Sequence, residues 1–184
     1  GMEGKPAIVE VYAQGDEVEL FLNETSLGKK PAGKEAGFRT LFETTYEPGT
    51  LVAVSYENGQ EIGRSELATA GAERVLAVEQ EAYAGLKHSE QELVYVQVEM
   101  RDQNGVLAAD DNQKITLSVD GEVEVLGFGS GNPKPNYNFN EGVTELFGGR
   151  AQIIIKKPEE DVTLTVTTGD GVCGSIRVPG GANF

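Results

Sequence analysis

A thiolate nucleophile needs a base beside it, and this chain of 184 residues offers one cysteine, Cys173, and one histidine, His88. His88 stands in the polar run LKHSEQE. Cys173 stands in the strand-like stretch GVCGSIRV, where a cysteine is expected as a small core residue. No Cys–His pair is predicted, and a single cysteine excludes an internal disulfide. General acid–base work needs two carboxyls facing one another in a pocket that drives their pKa values apart. With 30 Asp and Glu, accidental pairs are common. Glu17 and Glu19, like Glu122 and Glu124, occupy alternate positions, and on a strand alternate positions share one solvated face. Hard cations such as Ca²⁺ want six to eight oxygens. Asp102, Asp110, Asp111 and Asn112 are clustered in sequence, yet no EF-hand spacing is present and adjacent aspartates ordinarily start turns. No catalytic residue, cofactor-binding residue or metal ligand is assigned.

The stretch from Gly127 to Phe139, GFGSGNPKPNYNF, places glycines on alternate positions, followed by prolines, asparagines and two aromatics. Position 132 is asparagine, so G-x-G-x-x-G is not met, and no helix pattern follows to lend an N-terminus to a phosphate. The nucleotide reading fails. Two readings remain for Asn132, Asn136, Tyr137, Asn138 and Phe139. One is sugar contact, with Tyr137 or Phe139 as a stacking face and the asparagines bonding hydroxyls. The other is a long sandwich-edge loop docked on a neighbouring domain.

The elements that must position these residues are strands. DEVELFL alternates Val18, Leu20 and Leu22 against Glu17, Glu19 and Phe21. LVYVQVEMR alternates Val94, Val96, Val98 and Met100 against Tyr95, Gln97, Glu99 and Arg101. KITLSVD and VTLTVTT repeat the pattern, the second with a threonine ladder suited to a half-solvated pleat. Turn signals punctuate the strands: EPGT at 47–50, ENGQ at 57–60, QNGV at 103–106 and DGEV at 120–123. No stretch of ten residues carries the helical period. The class is all-β, of the sandwich or barrel kind. A composition shift near Ala70–Glu73 predicts a seam, giving a small β domain over 1–71 and a larger one over 72–184.

Lys and Arg number 15 against the 30 acids, a net charge of −15. That is the wrong sign for phosphate backbones or anionic lipid, so neither nucleic acid nor membrane is expected as a partner. No run approaches the roughly 18–20 apolar residues that cross a bilayer. The start, GMEGKPAIVE, lacks a basic n-region followed by an apolar h-region, so no signal peptide is expected, and the compartment is left open. NETS at 23–26 is formally a glycosylation sequon, read here as a hairpin turn.

VEVYAQGDEVELFLNETSLGKK, followed by YEPGTLVAVSYENGQEIGRSELATAGA, resembles a small domain found after the catalytic barrel in β-galactosidase-like enzymes of glycoside hydrolase family 2. LVYVQVEMRDQNGVLAADDNQKITLSVDGEVEVLGFGSGNP is similar to the C-terminal immunoglobulin-like domain of the same bacterial enzymes. One departure is Glu24, where the family's hairpin carries glycine; it is expected to alter a turn and leave the fold intact. The resemblance implies two immunoglobulin-like β-sandwich domains in tandem, non-catalytic, whose partners are the barrel and the other domains of a parent enzyme. Its acid/base and nucleophile glutamates lie on that barrel, so they carry over to no position here. Two other functions stay open: an independent carbohydrate-binding module, and a structural immunoglobulin-like module of a surface protein.

Overall fold

Strand pairing here follows from alternating apolar residues flanked by residues that tolerate positive φ. In the computed structural model, residues 2–82 and 92–181 are described; His88 lies outside them. The chain divides after Thr69 into two units, Gly1–Thr69 and Ala70–Phe184.

In the first unit β1 (Pro6–Tyr12) pairs antiparallel with β4 (Arg39–Thr45) as a two-stranded ribbon. The partner sheet has the order β3 (Thr25–Pro31), β2 (Glu17–Leu22), β5 (Thr50–Glu57), β6 (Gln60–Ala68). A 3₁₀ turn at Lys34–Ala36 joins β3 to β4. Val18, Leu20, Ala32 and Phe42 form the buried centre, with Val9, Val11, Leu51 and Ala53 packed around it. Glu17 and Glu19 face outward, as alternation predicts: Glu17 pairs with Lys29 at 3.6 Å, and Glu19 accepts hydrogen bonds from Ser26 and Tyr56. Both Asn-containing hairpins turn through the left-handed region, Asn58 and Gly59 at φ 51° and 77°, Asn23 and Glu24 at 48° and 66°. At Glu24 the two-residue turn holds a glutamate at positive φ, where glycine would be unstrained. The Asn23 amide of the formal sequon braces that turn, accepting from Thr50 N–H (2.9 Å) and donating to Pro48 C=O (3.1 Å).

The second unit is a sandwich of two four-stranded antiparallel sheets. One has the order β10 (Val125–Gly129), β12 (Arg150–Lys156), β8 (Leu93–Arg101), β7 (Val75–Gln80). The other has the order β11 (Val143–Glu145), β9 (Lys114–Asp120), β13 (Val162–Thr168), β14 (Cys173–Val178). Val94, Val96, Val98 and Met100 point inward against Leu164 and Val166, with Phe128, Ile153 and Ile155 completing the core. Both units are thus β-sandwiches of the immunoglobulin-like kind, joined in tandem.

Cys173 departs from the sequence expectation: it is exposed, not part of the core. On β14 the inward positions are Gly174, Ile176 and Val178, and Val172 also packs on the core. Val172, Ile176 and Val178 set that parity, and Gly174 fits the same face because a Cβ there would overlap the Leu76 carbonyl of β7. Its neighbour Cys173 must then face out.

Candidate functional site

On β8 and β12 every second side chain must leave the core, and β10 lies alongside β12 with glycines at its outward positions. One cross-strand row runs Gly129, Gln152, Gln97, and the next runs Gly127, Ile154, Tyr95. At the end of the rows Arg150 lies opposite Glu99. Phe128, between the two glycines, is fully buried. The alternating glycines therefore belong to a strand, with one face in the core and one bare face outside.

After Gly129 the chain leaves the sheet and returns. Phe128 N–H donates to Phe139 C=O at 2.8 Å, which brings the loop back beside β10. The Phe139 ring then lies directly over Gly129, where a Cβ would overlap ring carbons. Glycine at 129 is what admits the ring. The ring remains 49% exposed and forms one wall of a cleft of about 550 Å³ over the outward face of the sheet. Its floor is Gly127, Gly129 and Ile154, and its polar side carries Gln97, Gln152 and the Arg150–Glu99 pair.

The other loop residues lie apart from this cleft. Asn132 Oδ1 accepts the Lys134 N–H (2.9 Å) and Asn138 Oδ1 accepts the Asn140 N–H (3.4 Å), so both close local turns. Asn136 donates to Glu145 on β11 at 3.3 Å. Tyr137 is half-buried, with the Lys114 ammonium of β9 5.6 Å from its ring centre. Phe139 alone of the five sequence candidates lines the cleft. Gln97 and Glu99 were legible as outward positions of a strand. Gln152 and Arg150 join them only through strand pairing.

Charge in the cleft is internally matched. Glu99 accepts from Arg150 Nε (2.9 Å) and Arg101 Nε (2.8 Å), and Arg101 also grips Glu79 through both terminal nitrogens. Burial pushes the Glu99 carboxyl up, the hydrogen bonds from Arg150 and Arg101 outweigh it, and the net shift is downward. Gln152 donates to Glu81 at 2.8 Å.

The clustered aspartates build turns. Asp102 is buried and accepts from the N–H groups of Gly71, Asn104 and Val106 at 2.8–2.9 Å. The Gly71 bond foremost, then Val106, holds its carboxyl below the usual range against burial, with Asn104 and Arg74 adding to the effect. Asp111 accepts from the Gln113 backbone and side chain, and Asn112 accepts from Gly148 N–H. Among the described residues no group of three or more His, Cys, Asp or Glu is placed to hold a metal ion. Glu124 pairs with Lys156 on the surface.

Residues 77–175 match the family described as glycoside hydrolase family 2 C-terminal domain 5, and residues 4–63 match the domain of unknown function DUF4982. The β-galactosidase BoGH2A of Bacteroides ovatus is 28% identical over 145 residues, which are 79% of this chain and 17% of that protein. A solved family 2 glycosyl hydrolase from Bacteroides cellulosilyticus superposes with a TM-score of 0.86 at 27% identity, over 97% of this chain and 25% of its own. A solved β-glycosidase from Bacteroides vulgatus gives a TM-score of 0.80 at 25% identity, over 97% of this chain and 23% of its own. The chain thus spans a quarter or less of each of these relatives.

Proposed function

The chain belongs to the glycoside hydrolase family 2 C-terminal domain 5 family, and from that premise we propose that it is the non-catalytic C-terminal accessory region of a larger β-galactosidase-like hydrolase. Its work is architectural: two sandwiches that pack against the parent's other domains and bring loops to the rim of its active site. The observation that carries this reading is one of proportion. Likeness to the B. cellulosilyticus family 2 protein runs through 97% of this chain yet occupies 25% of that one. A retaining or inverting glycosidase needs two carboxyls about 5 or 6.5–9.5 Å apart across the sugar. Glu99, the best-placed carboxylate of the cleft, is instead committed to two arginines.

Incubation of the chain with p-nitrophenyl β-galactopyranoside and β-glucuronide tests this directly. No release of nitrophenol above buffer is expected, and turnover by the purified chain would overturn the accessory reading. Sequencing upstream of the coding region supplies the second arm. A (β/α)₈ barrel is expected there, and a run of further immunoglobulin-like repeats in its place would point to a surface protein.

A further inference from the structure

Glycine in the interior of a strand weakens it, and it persists where a bulge, a forced φ, a crowded neighbour or a close ligand requires it. Gly127 has no positive φ, and a Cβ built on it would meet nothing within 4 Å. Gly127 borders a β-bulge, and no neighbour crowds it. What its bareness supplies is depth: the open space above Gly127 is the floor of the cleft walled by Phe139. A register shift between Val125 and Gly127 turns Leu126 to the rim, 38% exposed.

We propose that this cleft on the outer face of the β10–β12–β8–β7 sheet is a binding site for a neutral oligosaccharide. Its volume lies within the roughly 300–1,000 Å³ of small-molecule sites, which pair apolar walls with a few placed polar groups. A pyranose ring has that same division, with C–H faces and a hydroxyl edge. The Phe139 face and the Ile154 side chain take the C–H faces. The Gln97 amide stands exposed in the middle of a central strand with no hydrogen bond among the described residues, so it keeps both donor and acceptor for hydroxyls. The Gln152 amide, positioned by its bond to Glu81, keeps its carbonyl. Electrostatics select against acidic sugars. Arg150 is already paired with Glu99 and Arg101 with Glu79 and Glu99, so among the described residues no unpaired cation lines the cleft to meet a carboxylate, while Glu81 and Glu99 repel one. This inference concerns the chain by itself and holds whether or not the parent is a hydrolase.

The test is a heteronuclear NMR titration of the full, isotope-labelled chain with β-1,4-galactotriose, cellohexaose and xylohexaose, and with trigalacturonic acid as the charged counterpart. Saturable shifts centred on Gly127, Gly129, Gln97 and Gln152 are expected with at least one neutral saccharide, and weaker or no shifts with the acid. Phe139→Ala should weaken binding about tenfold and Gln97→Ala about fivefold. Gly127→Val should abolish binding by filling the floor while leaving the melting temperature unchanged or higher, since valine suits a strand and its Cβ would meet no atom within 4 Å. Three results each overturn the proposal: no shifts with any of the three neutral saccharides, unchanged affinity in Phe139→Ala, or equal affinity for trigalacturonic acid.

Discussion

Glu24 sits at φ 66° in the two-residue turn between β2 and β3, a position that glycine fills at no steric cost. An L-residue in the left-handed region costs about 1–2 kcal/mol from the clash of Cβ with the backbone. Its carboxylate is exposed and makes no hydrogen bond or ion pair among the described residues, so removal forfeits no contact. Glycine returns part of the gain through the greater freedom of the unfolded chain, roughly 0.4–1 kcal/mol. Glu24→Gly should therefore stabilise the first unit by about 0.5–1 kcal/mol. In a domain of this size that is a rise of about 2–8 °C in melting temperature. Differential scanning calorimetry of the full chain reads the shift, expected in the transition of the first unit alone. Asn23→Ala is the counterpart. It removes the bonds to Thr50 N–H and Pro48 C=O and should destabilise by about 1–3 kcal/mol. An unchanged or lowered melting temperature in Glu24→Gly would refute the assignment of strain to this turn.

Phe128→Ala should destabilise the second unit by about 3–5 kcal/mol, because the ring is fully buried between the sheets, and urea unfolding checks it. Glu99 has its folded-state carboxyl held below the ordinary value of 4.5, so its contribution is fully present above that value and is lost as pH falls below it through the lowered folded-state pKa. Glu99→Gln should accordingly flatten the acid limb of the urea midpoint against pH. Cys173 should react with a disulfide reagent in the native protein at a rate close to that in denaturant, since it faces solvent on β14. Protection until unfolding would mean that its strand has the opposite parity.

Strand identity was legible because it is local. Val94, Val96, Val98 and Met100 alternate with Gln97 and Glu99, and a period of two needs no partner to be recognised. The same holds for the Asn58–Gly59 turn, where residue type alone allows positive φ. The family landmarks were equally visible, being contiguous motifs. In GVCGSIRV the apolar residues Val172, Ile176 and Val178 already mark the buried face and leave Cys173 with Ser175 and Arg177 outside, so the core expectation for Cys173 overlooked a local signal. Two other features depended on neighbours distant in the chain. The close approach of Gly174 to the Leu76 carbonyl, nearly a hundred residues away, was not visible. The DGEV turn reads like a hairpin signal, yet β9 and β10 lie in different sheets, so the chain crosses the sandwich there. The cleft depends on distance in the same way. Its glycines, glutamines and arginine come from three strands whose adjacency is set by hydrogen bonds between remote segments. Phe139 reaches Gly129 only because the loop closes on Phe128 N–H. Side-chain periodicity is written residue by residue, whereas register and sheet order are properties of the packed core, and that core determined which outward faces became neighbours.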